Sequence, residues 1–175
     1  MKTFSLIAAC DKEMGIGKGG VLPWRLPKEL ERFHQVTAET RDSTKRNAVI
    51  MGRKTWESIP AGRRPLPGRL SCVITRDGGY ALPEGARKFS SLEDCLSSLE
   101  KDAAIEHIFI IGGGELFKQA ITIPACRTIY LTEVEGIYHC DTFFPPLPKE
   151  FRREHESEAQ DENGVRYKFA TYKRL

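Results

Sequence analysis

Apolar and polar positions along the chain follow two alternating rhythms. Phe4 to Cys10, Ala48 to Met51, Leu70 to Thr75, Ile105 to Ile111 and Arg127 to Val134 are short, mostly apolar runs, the pattern of strands covered on both faces. Lys88-Phe89 adds a shorter strand. Between these runs the spacing becomes helical: Lys28 to Ala38 places Leu30, Phe33 and Val36 on one face, and Lys54 to Ser58, Leu92 to Glu100 and Glu115 to Ile121 read as three more helices. Ser90 or Ser91 is the N-cap of the Leu92 helix. Strands joined through helices predict parallel pairing with right-handed crossovers. The last segments differ, because Phe151 to Glu158 and Val165 to Tyr172 are β-like and flank the turn signal Asp161-Glu162-Asn163-Gly164. The expected fold is therefore α/β, with a mostly parallel eight-stranded sheet, an antiparallel C-terminal edge strand, and helices on both faces.

Composition narrows the setting. At 175 residues, 40% hydrophobic and 29% charged, the chain suits one soluble domain over residues 1–175. A formal charge of +3 permits a local patch for an anion but not the basic stripe of a nucleic-acid binder, and the basic run from Arg41 to Arg46 reads as a solvated loop. The apolar run before Cys10 is too short to span a bilayer and ends at Asp11, Lys12 and Glu13, so a cytoplasmic protein without a membrane role is expected. Five cysteines without a C-x-x-C read as buried reduced thiols, and the four histidines show no ligand spacing, so no metal is expected.

The candidate chemistry begins at Met14 to Trp24. Gly15, Gly17 and Gly20 match G-x-G-x-x-G, yet Pro23 and Pro27 deny this span the continuous helix of a dinucleotide fingerprint. A flexible lid over a small-molecule pocket is the better reading. Ligands of open α/β sheets gather at strand carboxyl ends, where this lid, Gly52-Arg53-Lys54-Thr55 and Gly112-Gly113-Gly114 are all expected. Glycine lets backbone approach a pyrophosphate, although a tight turn without ligand explains three glycines equally well. Gly52-Arg53-Lys54-Thr55 lacks the first glycine of a Walker loop. Thr75-Arg76, with Arg53 and Lys54, could hold a monophosphate such as the 2′-phosphate of NADPH. Glu29 shares its helix with Leu30 and Phe33, so as a pocket-lining acid it would demand a donor-rich, amidine-like partner; Glu31 points elsewhere and is the solvated comparison.

Taken together, Met14-Gly15-Ile16-Gly17, Leu22-Pro23-Trp24, Asn47 to Trp56, Ser58-Ile59-Pro60, Arg64-Pro65-Leu66, Gly68-Arg69, Ile111 to Gly114 and Asp141 to Pro145 resemble dihydrofolate reductase of the single-domain eukaryotic kind, over essentially the whole chain. The resemblance implies reduction of dihydrofolate by NADPH in one-carbon metabolism. Glu29, Trp24 and Leu22 become the catalytic residues: Glu29 grips the pterin amino edge with Thr132 behind it, and Trp24 holds an ordered water. Ile7, Ala8, Ala9 and Ile111 frame the pterin; Leu30, Phe33, Ile59 and Leu66 pack the rings; Arg69 pairs with the α-carboxylate of the substrate tail. Arg53, Lys54, Thr55, Thr75 and Arg76 fall to the cofactor's phosphates, and Gly113, Gly114 and Glu115 to its diphosphate. Ala9, Ile16, Gly17, Gly20, Gly52, Ile111, Leu116 and Phe117 complete the cofactor set, Phe117 standing where the family commonly has tyrosine. Cis peptides at Gly112-Gly113 and Arg64-Pro65, a monomer, and inhibition by antifolates are further implications; with the sequence ending at Leu175, no fused thymidylate synthase domain is expected. The alternatives are a reductase of another pterin or aminopyrimidine, and a pterin- or nucleotide-binding protein without turnover.

Overall fold

Strands without polar alternation need cover on both faces, and the fold supplies it. The computed structural model describes residues 1–175. In chain order the elements are β1 (Phe4–Cys10), β2 (Gly15–Gly17), α1 (Pro27–Ala38), β3 (Arg46–Gly52), α2 (Arg53–Ser58), a 3-10 turn (Ala61–Arg63), β4 (Arg69–Ile74) and β5 (Ala86–Phe89). They continue as α3 (Leu92–Glu100), β6 (Ile105–Gly112), α4 (Gly114–Ala120), β7 (Cys126–Val134), β8 (Thr142–Phe143), β9 (Phe151–Glu156), β10 (Gln160–Glu162) and β11 (Val165–Arg174). Each predicted helix and strand is present within a residue or two at its ends, and Ser91 is the cap that accepts from the Asp94 N–H.

The main sheet runs β10-β11-β7-β1-β6-β3-β4-β5, with β9 also paired to β11. Six neighbouring strands, β7 to β5 in that order, are parallel, and β11 reverses direction beside β7. Eight positions across the sheet are thus filled, the outermost shared by β9 and β10. The expected hairpin is divided accordingly: Asn163-Gly164 turns β10 into β11, and β9 pairs farther along β11, with a register shift between Thr171 and Tyr172.

Alternate residues of each strand enter different cores. Leu6, Ile50, Cys72 and Ile110 face α3 and α4, whereas Ile7, Met51, Val73 and Phe109 face the side of α1 and α2. Strand neighbours β1, β6 and β3 therefore open their carboxyl ends side by side between two helical layers.

One expectation changes. The Met14–Trp24 segment is not a free loop, because β2 pairs with β8 in a separate small sheet. Lys18 and Val21 then exchange both backbone hydrogen bonds around Gly19 and Gly20, whose φ values of 58° and 81° suit glycine. The partner strand lies over a hundred residues away and is too short to announce itself by alternation.

Candidate functional site

Pro27 at the first position of α1 starts a helix whose N–H groups need no proline hydrogen, and this places Glu29 in the first turn. The side chain is 7% exposed, although the helix's apolar positions Leu30 and Phe33 are less covered. That inversion marks a cleft: the acid is sunk while its hydrophobic neighbours remain open to a ligand. Glu29 Oε1 accepts one hydrogen bond, from Thr132 Oγ1 at 3.1 Å. Thr132 is held on β7 opposite Ala9 of β1, and Ile7 pairs with Tyr130 on the same two strands. Burial pushes the Glu29 carboxyl above its usual range; the Thr132 hydroxyl and the Arg32 charge pull the other way, and Glu162 adds to the rise. Glu31, as expected, is exposed.

At the outer end of the same cleft, Phe33 and Val36 of α1 pack with Ile59, Leu66 and Ile111. Arg69 is the first residue of β4 and is only 5% exposed. Its Nε donates to the Pro67 carbonyl, Nη1 to Thr37 Oγ1 at 3.0 Å, and Nη2 contacts His34 Nδ1 at 3.2 Å. A guanidinium has five N–H donors, so two remain, one on each terminal nitrogen. No carboxylate of the chain pairs with it, and burial lowers its pKa. The cis Arg64-Pro65 bond lies in the segment between Ile59 and Leu66, as anticipated.

The three strand-end segments do converge. A Cβ at Gly52 would lie 3.8 Å from Gly113 N, and one at Gly113 would lie 3.6 Å from Thr55 Oγ1. One at Gly114 would meet the Phe143 carbonyl at 3.0 Å and Ile16 at 3.8 Å, so β2 and β8 close on the same turn. Gly112 has φ 135°, a region side chains avoid, and the Gly112-Gly113 bond is cis. Lys54 and Arg76 are exposed, and Thr75 Oγ1 accepts from Asp77 N–H. Arg53 stands differently: Nε bonds Glu57 at 2.6 Å, Nη1 lies 3.4 Å from Asp77, and the guanidinium sits 4.1 Å over Tyr80. Leu116 and Phe117 are buried in the core, Phe117 with its ring 4.9 Å from that of Phe144. Phe117 reaches the turn with its N–H, which donates to the Gly113 carbonyl at 3.1 Å, and with its ring edge, 3.7 Å from where a Cβ at Gly112 would lie.

The lid has its own anchors, which the sequence pattern did not disclose. Asp11, 4% exposed, accepts from the N–H groups of Glu13, Gly15 and Tyr138 at 2.8–3.0 Å. Burial would raise its pKa, but those N–H groups and the Cys140 thiol together hold it below the ordinary value. Asp141 Oδ2 accepts from Gly19 N–H at 2.9 Å, tying the lid's hairpin to the residue before β8. Trp24 is 6% exposed and packs edge-on to Tyr138, while its Nε1 is buried without a protein acceptor. Leu22 and Gly20 are exposed on the lid, and Gly17 is buried against Thr142. Arg32 and His34 also escaped sequence reading, though Arg32 stands three positions after Glu29 on α1, a spacing that was a usable signal.

No helix is long and apolar enough to cross a membrane. The sequence model of the family described as Dihydrofolate reductase matches residues 3–174. The chain is 39% identical over 184 residues to the Dihydrofolate reductase of Aedes albopictus, covering 100% of this chain and 99% of that protein. It is 38% identical to the Drosophila melanogaster protein of the same name, covering 97% and 96%. It is also 42% identical to the Bifunctional dihydrofolate reductase-thymidylate synthase of Glycine max over 99% of this chain, which spans only 34% of that longer relative.

Proposed function

Since the chain belongs to the dihydrofolate reductase family, we propose that it reduces 7,8-dihydrofolate to 5,6,7,8-tetrahydrofolate with NADPH. The observation that carries this reading is Glu29, a buried acid in an apolar cleft that accepts only one hydrogen bond from the protein. An aminopyrimidine edge offers two adjacent N–H donors and satisfies such a carboxylate in a paired geometry. Arg69 supports the same substrate from the other end, because its two unclaimed donors match a carboxylate. A reductase of another pterin or aminopyrimidine would use Glu29 equally but leave Arg69 without a purpose.

The cofactor reading rests on the meeting of Gly52, Thr55, Gly113 and Gly114, with exposed Lys54 and Arg76 nearby. Lys54, Thr55, Thr75 and Arg76 would hold phosphate groups, joined by Arg53 once it leaves Glu57; Gly113 to Glu115 would take the diphosphate. Ala9, Ile16, Gly17, Gly20, Ile111, Leu116 and Phe117 would border the remainder. NADPH, when bound, supplies the hydride for C6 of the pterin.

The chain's own part is to hold two rings together and to manage one proton. Glu29 orients the pterin through its amino edge and, with its proton affinity raised by burial, favours protonation of N5 through water. The Trp24 N–H, without a protein acceptor, suits a water in that relay. Leu22 and the lid exclude bulk solvent, with Asp11 and Asp141 fixing where the lid lies. A cytoplasmic monomer of one domain, open to antifolate inhibitors at the same cleft, completes the reading. Loss of NADPH absorbance on adding dihydrofolate tests it: turnover is expected, while tight binding of both ligands without turnover would favour a binding protein.

A further inference from the structure

Arg32 follows Glu29 on α1 by three positions, the spacing that sets two side chains on one helical face. Its guanidinium lies 4.0 Å over the centre of the Phe169 ring on β11, so the cation is held by packing rather than left to swing into solvent. Both residues line one cavity of about 10 Å³ with Ile7, Tyr130 and Thr132, roughly the smallest space that admits a single water. Arg32 forms no ion pair with any carboxylate of the chain, and half-burial leaves its charge less screened than a surface arginine's. Nothing in the resemblance assigned this residue a role.

We propose that Arg32 is a positioning residue of the reaction: clamped on Phe169 beside Glu29, its fixed positive charge sets the pH above which the site loses its acid. The inference rests on the role given to Glu29 above. The other groups in range are Glu162 on β10, Tyr167 on β11, and Tyr130 on β7, which itself feels Glu154 on β9. Glu162 and the neutral tyrosines do not reverse the direction. Glu162 opposes ionisation of Glu29, and the tyrosines carry no charge near neutrality; Arg32 is the nearby cation that favours it. An arginine remains charged across the working range, so its effect is a constant offset rather than a second titration.

The test replaces Arg32 by leucine, by glutamine and by lysine and reads the ionisation of Glu29 in two ways. Carboxyl carbon-13 resonances of the ligand-free protein, assigned with Glu29→Gln, report the titration directly, and the pH profile of hydride transfer reports it during turnover. Both midpoints are expected to move upward by about one pH unit in Arg32→Leu and Arg32→Gln, and to stay near the parent value in Arg32→Lys. An unchanged midpoint in the neutral variants overturns the proposal, and so does an equal shift in Arg32→Lys, which would trace the effect to packing on Phe169. Glutamine keeps the comparison available if leucine prevents folding. Absence of dihydrofolate turnover in the parent would overturn the functional reading alone, because the resonance titration still decides the role of Arg32.

Discussion

Thr132 on β7 donates to Glu29 on α1 across 3.1 Å, joining two residues 103 positions apart in the chain. This contact fixes one oxygen of the buried acid and leaves the rest of its hydrogen-bonding capacity to a ligand. Replacement of Glu29 by glutamine retains the bond to Thr132 but removes the charge and the proton. Hydride transfer at neutral pH should fall by about 100-fold or more, with partial recovery in acid, where the substrate arrives protonated. Single-turnover measurements across pH check this; unchanged turnover would remove Glu29 from the mechanism.

The same variant carries a stability prediction of opposite sense. The folded-state pKa of Glu29 is raised, so its ionisation costs nothing below the ordinary glutamate value of about 4.3 and destabilises the fold progressively as pH rises toward the folded value. Ligand-free Glu29→Gln should therefore melt a few degrees above the parent at pH 7, and the two curves should converge near pH 4.

Asp11 behaves in the opposite way. Its folded pKa is depressed, so its stabilisation is present above about pH 3.9 and disappears as pH falls through the lower folded value. Asp11→Ala leaves the Glu13, Gly15 and Tyr138 N–H groups without their acceptor and should cost about 2–4 kcal/mol. Denaturant titration at pH 7 measures the loss; the gap between the parent and Asp11→Asn should narrow in acid.

Arg69 binds nothing negative within the protein, so its removal should be felt by the substrate. Arg69→Leu is expected to raise the KM for dihydrofolate by about 30-fold or more with little change in kcat, and lysine should recover only part of the loss. A dihydropterin without the glutamate tail provides the control. An equal effect on that compound would assign Arg69 to folding instead.

Glu57 and Asp77 already hold Arg53, so any cofactor phosphate must compete with them. Glu57→Gln should tighten NADPH by a few-fold, more at low ionic strength, and leave NADH unchanged. Equal tightening of both cofactors in a fluorescence titration would dismiss the competition.

A methyl group at Gly114 would sit 3.0 Å from the Phe143 carbonyl, and backbone cannot rotate away as a side chain can. Gly114→Ala should push β8 outward, weaken NADPH binding and lower stability by about 1–3 kcal/mol. Isothermal titration and melting curves report the two effects.

Much of this arrangement was readable before folding. Periodicity located all four helices and the principal strands because each must bury a face whatever its neighbour is. The glycine turns were also local: a strand that ends in glycine and proceeds into a helix declares a close turn. The small β2–β8 sheet was not readable, since two and three residues carry no period. Arg53 illustrates a second limit. Its type suited a phosphate, but Asp77 and Tyr80 reach it from beyond β4, and no pattern within Gly52 to Thr55 reports them.

The sequence by itself determined the order of strands and helices, the faces they bury, and the positions of Glu29 and the glycines on those elements. Those properties follow from the chemistry of neighbouring residues. Only the tertiary structure decided that Thr132 meets the sunken Glu29, that Arg69 lacks an acid while Arg53 has two, and that Arg32 rests on Phe169 beside the site. Burial and electrostatic environment belong to contacts among β7, β11, β4 and α1, and a chain specifies those contacts only after distant segments have packed together.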